Sequence, residues 1–311
     1  MTASVVIPCY NVEEYIYECL DSVKLQGDCV DAIFCVDNNS SDNTEKIILS
    51  WIENNPNQNI TLLKELRPSA SAARNKPLEL INSEWIQFLD ADDLLLENKI
   101  SFQINNANEN DVIYDSYIKR DLEGNEKVIV PSERIEIGIM QSNLGNTCSN
   151  LWRTEAILGV GGWNENQASS QEYDLLMRLY KNGKKFKRIN NCRTVIRERE
   201  SGQISQGDQK LIWENYTNLR VSFFNDVIKS FNEKTLEKEA LSIIFGATQI
   251  LYQYNPSLAV KIYETVLKQN DFSPKTTTIK SKIYYITYLI FGFRFAEHLR
   301  LNFRKNRSRH A

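Results

Sequence analysis

The stretch Phe88-Leu89-Asp90-Ala91-Asp92-Asp93 is the most informative part of this sequence. The apolar run before it, residues 85–89, has the length and composition of a buried strand, and three carboxylates follow within four residues. Alternation along a strand would place Asp90 and Asp92 on one face. Such carboxylates suit Mg²⁺ or Mn²⁺, although an isolated Asp-x-Asp is more often a solvated turn that caps a helix.

Upstream of this stretch, strands and helices alternate. Apolar, β-branched runs predict strands at residues 3–8, 32–36 and 60–63, and helical patterns separate them at residues 11–27, 40–52 and 69–81, the last interrupted at Pro77. This order predicts an α/β fold with a doubly wound, mainly parallel sheet. Ligands of such sheets bind beyond the carboxyl ends of the strands, where the acidic clusters 37–42 and 90–93 fall.

Downstream, the pattern becomes irregular and then wholly helical. Residues 112–118 and 127–130 predict a hairpin, followed by a helix at 170–182 and a strand at 192–196. Four helices are then predicted, at residues 209–231, 234–254, 257–269 and 277–303. We therefore predict an α/β domain over residues 1–205 and a helical C-terminal region over residues 206–311.

Composition excludes several classes of function. The formal net charge of −3 over 311 residues gives no reason to expect nucleic-acid binding. The only histidines, His298 and His310, lie at the end of the chain, which argues against histidine-dependent triads or zinc sites. Six cysteines without a Cys-x-x-Cys pair are typical of buried thiols in a reducing compartment, and no signal peptide is evident, so we expect a cytoplasmic protein.

Four segments in order resemble glycosyltransferase family 2 over roughly residues 3–200. They are Val5-Val6-Ile7-Pro8-Cys9-Tyr10-Asn11, Val36-Asp37-Asn38-Asn39-Ser40-Ser41-Asp42-Asn43-Thr44, Ala73-Arg74-Asn75 and Phe88-Leu89-Asp90-Ala91-Asp92-Asp93. The resemblance implies a GT-A fold, the nucleotide-diphospho-sugar transferase fold with a Rossmann-like sheet. It also implies a nucleotide-sugar donor, Mn²⁺ or Mg²⁺, and usually inversion at the anomeric carbon.

The same resemblance implies roles for individual residues. The residues that would border the nucleoside are Pro8, Tyr10, Asp37 and Asn38. Arg74 would approach the diphosphate, and Asp90 would face the ribose or the surroundings of the metal. Asp92 would hold the metal, and Asp93 competes with it for that role. Asn38 replaces the aspartate usual in the family, which leaves the choice of nucleotide open.

The acceptor side of the family is matched further along the chain. Where many members carry Glu-Asp, this chain has Gln171-Glu172, so Glu172 is the candidate catalytic base and Asp174 is the second choice. A carboxylate favoured by the helix dipole is the alternative for Glu172. Trp163, in the acceptor-side segment Gly161-Gly162-Trp163-Asn164-Glu165, could stack on an acceptor sugar or be a core tryptophan at a tight turn, and both interpretations stay open.

These features predict a metal-assisted, inverting glycosyltransferase. The expected acceptor is a hydroxyl of a glycan or lipid-linked glycan, and polysaccharide biosynthesis is a typical role for the family. One alternative is a non-catalytic descendant that binds nucleotide or glycan. Another, a nucleotidyltransferase, is disfavoured because no glycine follows the first strand at Pro8-Cys9-Tyr10-Asn11-Val12.

The last 32 residues differ in character from the rest. Residues 283–293 are strongly apolar and aromatic, and residues 280–311 contain eight Lys or Arg and one acid, so their net charge is 8 − 1 = +7. This pattern is typical of an interfacial helix on anionic lipid and predicts peripheral contact with the inner face of the membrane. It is equally typical of a terminal helix packed on its domain and followed by a disordered basic tail.

Overall fold

The computed structural model describes residues 1–200, 207–274 and 278–307. The chain divides into two compact units, Met1–Gln203 and Ile204–Ala311. All strands of the described chain belong to the first unit, and the described part of the second is helical. The predicted boundary between residues 205 and 206 lies outside the described residues.

Strands and helices are numbered here in chain order. The strands are β1 Ala3–Cys9, β2 Val30–Asp37, β3 Ile60–Lys64, β4 Trp85–Phe88, β5 Leu94–Leu95, β6 Val112–Tyr114, β7 Tyr117–Arg120, β8 Glu126–Ile129, β9 Leu151–Arg153, β10 Phe186–Arg188 and β11 Thr194–Arg197. The helices are α1 Ile16–Lys24, α2 Thr44–Asn54, α3 Ala70–Asn75, α4 Lys99–Ala107, α5 Ile135–Gln141, α6 Thr154–Gly159, α7 Gln171–Lys181, α8 Gln209–Asp226, α9 Lys234–Tyr254, α10 Pro256–Ile262 and α11 Ile279–Arg307.

The central sheet has seven strands in the order β10-β6-β9-β4-β1-β2-β3. Strands β4, β1, β2 and β3 are parallel, which confirms the predicted mainly parallel sheet. Strand β9 is antiparallel to both of its neighbours, β4 and β6. Because the central strand β1 is covered on both faces, almost all of its residues are buried, as expected of a parallel strand. Each fully buried aliphatic side chain contributes roughly 1.5–3 kcal/mol to this core.

The predicted hairpin at residues 112–118 and 127–130 is only partly correct. The first segment is two strands, with β6 in the central sheet and β7 in a second sheet of order β5-β11-β7-β8. The chain breaks between them because the buried carboxylate of Asp115 accepts hydrogen bonds from the backbone N–H groups of Ser116, at 2.7 Å, and Asn191, at 2.9 Å. Only β7 pairs with β8 as a hairpin.

The second unit is an assembly of helices. The segment predicted as one helix over residues 209–231 ends at Asp226 and continues as a 3₁₀ turn, Ile228–Phe231. Asn255 caps α10 by accepting a 3.1 Å hydrogen bond from the Leu258 N–H, and Pro256 occupies the first turn, where its missing donor costs nothing. None of the helices in the described part of the chain has the length and apolar character needed to span a bilayer.

Candidate active site

The four side chains predicted to border the nucleoside lie at the carboxyl ends of β1 and β2. Pro8 pairs with Val36 within the sheet, and Tyr10, directly after β1, is 59% exposed. Asp37 ends β2 with a buried carboxylate that accepts a hydrogen bond of 3.2 Å from the Ser40 N–H. Tyr10 is therefore the residue of this group with a ring available to a ligand.

Asn38 is buried and its side chain is fully engaged. Its amide donates to the carbonyl oxygens of Glu65, at 2.6 Å, and Arg67, at 2.7 Å, while its oxygen accepts from the Ser69 N–H at 3.0 Å. These bonds tie the end of β2 to the segment that enters α3. The amide therefore shapes the loop around the site, and the position of Asn38 beside the nucleoside stays a prediction.

Arg74 joins two parts of the site. It lies on α3 with 5% of its surface exposed, and its Nη2 donates a 2.5 Å hydrogen bond to Asp90 Oδ1. Its Nη1 donates to Gln171 Oε1 at 3.3 Å, and its guanidinium lies 4.6 Å from the centroid of the Trp163 ring. The buried Nε has no hydrogen-bond partner among the described residues. A buried guanidinium with an unsatisfied donor is suited to an anionic ligand such as a diphosphate.

Residues 90–93 form a turn beyond β4 and are not part of the strand. The Asp93 N–H donates to the Asp90 carbonyl at 2.9 Å, and β4 already ends at Phe88. The expectation that strand alternation places Asp90 and Asp92 on one face is therefore wrong. The three carboxylates have different partners, Arg74 for Asp90, Arg199 for Asp92 and the Arg197 N–H for Asp93, while Asp90 and Asp93 keep ligand atoms within 4.8 Å of each other.

Asp92 and Asp93 have different surroundings. Asp92 Oδ2 lies 3.6 Å from Arg199 Nη1, whereas Asp93 is buried and accepts hydrogen bonds from the Arg197 N–H at 2.9 Å and from Cys148 Sγ at 3.2 Å. Burial raises the pKa of Asp92, and the charge of Asp90 adds to the effect. Burial also raises the pKa of Asp93 well above its usual range.

The structure adds residues that sequence analysis missed. Cys148 accepts a hydrogen bond from the Asp90 N–H at 3.2 Å, and burial raises the pKa of its thiol well above the usual range. Asp90, Asp93 and Cys148 offer ligand atoms within 4.8 Å of one another. Arg199 donates to the Asn11 carbonyl at 3.1 Å. Arg197 and Arg199 follow the predicted strand at 192–196, so the sequence showed two cations there. Only the fold shows that they lie beside Asp92.

Glu172 lies in the first turn of α7, close to Arg74 and Asp90. Its Oε1 accepts a 3.4 Å hydrogen bond from Asn150 Nδ2. Burial raises the pKa of Glu172 to about 8, hydrogen bonds from Thr147 lower it, and the charge of Asp90 raises it further. A carboxyl group with such a pKa exchanges protons near neutral pH, as a general base does.

Asp174, the second candidate, is held in an ion pair. It accepts a 2.8 Å hydrogen bond from Arg178 Nε, and Arg178 Nη1 donates to the carbonyls of Val160 and Gly162, both at 2.8 Å. Asp174 is buried as well. Its carboxylate thus supports the turn at residues 160–162.

Trp163 belongs to the core. It is 2% exposed, and its ring meets those of Phe88 and Trp152 edge to face at 5.1 and 6.3 Å. Its backbone N–H and C=O both bond to the Asn75 side-chain amide, each at 2.8 Å. Of the two interpretations left open by the sequence, this burial favours the core tryptophan. An open cavity of about 390 Å³ lies beside the turn, lined in part by Asn75, Asn164 and Glu165.

The mainly parallel central sheet and the helical second unit confirm the predicted α/β fold class. The chain belongs to glycosyl transferase family 2, whose sequence model matches residues 4–158.

Named relatives cover most of this chain. The minor teichoic acid biosynthesis protein GgaB of Bacillus subtilis is 26% identical in an alignment of 298 residues that covers 91% of this chain and 32% of that protein. The teichoic acid poly(glycerol phosphate) polymerase of Staphylococcus epidermidis is 25% identical over 75% of this chain and 34% of its own length. The chain thus spans about a third of these two relatives.

A third relative has a specific transferase name. The UDP-Glc:alpha-D-GlcNAc-diphosphoundecaprenol beta-1,3-glucosyltransferase WfgD of Escherichia coli is 29% identical over 149 residues, which are 47% of this chain and 57% of that protein.

Solved structures show the same fold. S. aureus TarS 1–349 in complex with UDP-GlcNAc aligns with a TM-score of 0.58 and 18% identity over 92% of this chain and 81% of that one. The mannosyltransferase PcManGT of Pyrobaculum calidifontis, in complex with GDP-Man and Mn²⁺, aligns with a TM-score of 0.52 and 14% identity over 96% of this chain and 86% of that one.

Proposed function

We propose that this glycosyltransferase moves a sugar from a nucleotide-diphosphate donor to an acceptor hydroxyl, with metal assistance and with inversion. The observation that carries the proposal is the position of Arg74. One buried guanidinium bonds Asp90, in the turn predicted to hold the metal, and Gln171, the neighbour of the predicted base Glu172. The groups needed for departure of the diphosphate and for activation of the acceptor therefore lie around one cation.

The donor site is proposed at the carboxyl ends of β1 and β2. Tyr10 is exposed where a base could stack on it, and Pro8, Asp37 and Asn38 lie at the same ends of β1 and β2. Arg74 would bind the diphosphate through its guanidinium group, in competition with the partly exposed Asp90. The nucleotide stays open, because Asn38 brings no charge and its amide is already engaged.

The residues of the acidic turn fit Mn²⁺ or Mg²⁺. Carboxylate oxygens are the ligands that these ions prefer, and the raised pKa of Asp92 reflects buried, crowded carboxylates whose charge a cation would offset. We propose Asp92 as the main ligand, because both oxygens of Asp93 already accept hydrogen bonds. When bound, the ion would neutralise charge on the leaving diphosphate.

Glu172 is the proposed general base. Its carboxylate would take the proton of the acceptor hydroxyl as the acceptor oxygen attacks the anomeric carbon from the face opposite the diphosphate. Asn150 and Thr147 hold this carboxylate in place through their hydrogen bonds. A single displacement of this kind inverts the configuration and needs no covalent intermediate.

The acceptor is proposed to be a glycan or a lipid-linked glycan, with the reaction on the cytoplasmic side of the membrane. Support comes from the relatives, two of which are named for teichoic acid synthesis and one for transfer to a diphosphoundecaprenol-linked sugar. A role in polysaccharide biosynthesis follows as part of the same proposal.

The first experiment is thermal unfolding with UDP, TDP and GDP, each with and without Mn²⁺. A ligand at 100 times its Kd should stabilise the folded state by roughly 2.7 kcal/mol. We expect a metal-dependent shift for one nucleotide that is lost in Asp92→Asn. Turnover of the matching sugar donors, with NMR of the product's anomeric proton, then tests transfer and inversion. A shift without turnover on any acceptor would favour the alternative, a non-catalytic nucleotide-binding protein.

A further inference from the structure

Helix α11 presents an apolar stripe to solvent. We name Ile279, Ile283, Ile286 and Ile290 the outer stripe, and their exposed fractions are 78%, 59%, 56% and 65%. Their spacing of four, three and four residues places them on one face of the helix. Leu289 and Phe291, each about 60% exposed, widen the apolar surface at its C-terminal end. Isolated exposed aliphatic residues are ordinary, but a row of four isoleucines is not.

The opposite face of α11 is the one that packs in the second unit. Tyr288 Oη lies 2.8 Å from Tyr263 Oη, and the Tyr284 ring meets Phe245 at 6.1 Å. Phe293 stacks on Tyr263 with the ring centroids 4.5 Å apart. These contacts bury the opposite face of the helix, and the outer stripe is left exposed.

The length of α11 before its kink allows it to lie on a membrane surface but is too short to cross a bilayer. Gly292, at φ 78° and ψ 173°, breaks the helix and ends the apolar segment that begins at Ile279. Thirteen helical residues are roughly 20 Å long, well short of the roughly 30 Å hydrocarbon core of a bilayer. A helix of this length can bury one face at an interface while it lies along it.

Charge is segregated along the chain. Residues 280–311 sum to +7, and since the whole chain is −3, residues 1–279 sum to −10. The one acid of the basic segment, Glu297, is buried and accepts hydrogen bonds from Arg300, Gln249 and Tyr284. Lys282 and Arg294 are exposed near the stripe. Among the side chains that the structure describes in residues 280–311, the exposed charges near the stripe are therefore the cations Lys282 and Arg294.

We infer that the outer stripe of α11 is a binding surface for a membrane that contains anionic lipid. Isoleucine side chains beside exposed cations match the acyl boundary and the charged headgroups of such a membrane. A second copy of the chain would instead bring another basic segment of the same sign against the first, which repels. The inference stands on the second unit alone and does not depend on the proposed function.

Vesicle flotation with the full chain tests the inference. With vesicles of phosphatidylcholine containing one third phosphatidylglycerol, we expect binding at low salt, with weak or no binding to pure phosphatidylcholine. The double variant Ile286→Ser/Ile290→Ser should bind roughly tenfold more weakly or worse, because two buried aliphatic side chains are lost. The matched control Leu49→Ser/Leu158→Ser removes residues of 45% and 48% exposure in the first unit and should bind normally.

A second pair of measurements separates lipid from other partners. Lys282→Gln/Arg294→Gln should weaken binding to the anionic vesicles, and high salt should do the same. Unfolding curves and the nucleotide-dependent thermal shift of each variant should match the wild type, so a failure of the proposed donor site would be seen separately. No binding to anionic vesicles, or equal binding by the stripe variant, would overturn the inference. So would a lipid-free dimer, seen by light scattering, that the stripe variant dissociates.

Discussion

Arg74 and Asp90 form a hydrogen-bonded ion pair of 2.5 Å between α3 and the turn that follows β4. The arginine is nearly buried, while the aspartate is about one third exposed. One partner is therefore fixed by packing and the other faces the solvent side of the site. A ligand anion can compete with Asp90 for a guanidinium that is already in place, so little reorganisation is needed on binding.

Replacement of Arg74 by lysine should reduce turnover strongly. Lysine keeps the charge but cannot bond Asp90 and Gln171 at once, since it lacks the planar fork. We expect kcat/KM to fall roughly a hundredfold or more, with a small change in melting temperature. The control is Arg120→Lys, which alters an exposed pair with Glu126 and should leave turnover unchanged. Normal kinetics in Arg74→Lys would remove Arg74 from the mechanism.

Glu172→Gln should lower kcat/KM strongly and should abolish its dependence on pH. The base must be deprotonated, so wild-type kcat/KM should rise with pH towards about 8. In the variant, kcat/KM should be lower by roughly 10²- to 10⁴-fold and should not rise with pH. Asp174→Asn is the control, and it should lower stability through loss of the Arg178 pair while keeping the pH profile. The reverse result would make Asp174 the base.

The same carboxyl group links pH to stability. Because the pKa of Glu172 is higher in the folded chain than its ordinary 4.5, the folded state retains a proton that the unfolded state releases. The contribution of Glu172 to the free energy of unfolding is therefore largest below pH 4.5. This contribution is lost as the pH rises towards about 8. Urea unfolding across this range should show a smaller decrease in Glu172→Gln. Parallel curves for the two proteins would contradict this prediction.

Asp92→Asn and Asp93→Asn should differ. The variant at Asp92 should abolish the Mn²⁺-dependent part of the nucleotide-induced thermal shift. The variant at Asp93 should keep it, because both carboxylate oxygens of Asp93 already accept hydrogen bonds, from the Arg197 N–H and from Cys148 Sγ. The metal-dependent thermal shift of both variants is measured by titrating Mn²⁺ at a fixed nucleotide concentration. Loss of the metal effect in Asp93→Asn alone would assign the ion to Asp90, Asp93 and Cys148.

The turn before Trp163 should tolerate no side chain at Gly162. This glycine has φ +72°, and an added Cβ would lie 2.6 Å from Asn75 Oδ1, whose bond to the Trp163 N–H would be lost. Gly183 has a similar φ of +70° with nothing within 4 Å of its Cβ position, so Gly183→Ala isolates the backbone strain of about 1–2 kcal/mol. We expect Gly162→Ala to cost more than this in urea unfolding. Equal costs would show that the Asn75 contact relaxes freely.

Much of the fold could be predicted from local pattern alone. The apolar residues of the predicted strands 3–8, 32–36 and 85–89 are nearly continuous because both faces of a parallel strand are covered, and such a run can be recognised in the sequence alone. Strand β9 was missed, since three residues give no periodicity and its place between β4 and β6 comes from pairing. The break at Asp115 was missed for a similar reason, because its partner Asn191 is 76 residues away.

What the sequence determined by itself is the order of the elements, the acidic cluster at a strand end and the candidate residues Arg74, Asp92 and Glu172, because these depend on neighbours within a few residues. Tertiary structure alone decided which side chains are already engaged. Asn38 was predicted to border the nucleoside and Trp163 had two open interpretations, and the fold buries both, since their partners come from distant segments. Burial also raised the pKa of Glu172, and burial is a property of the folded chain that no local pattern encodes.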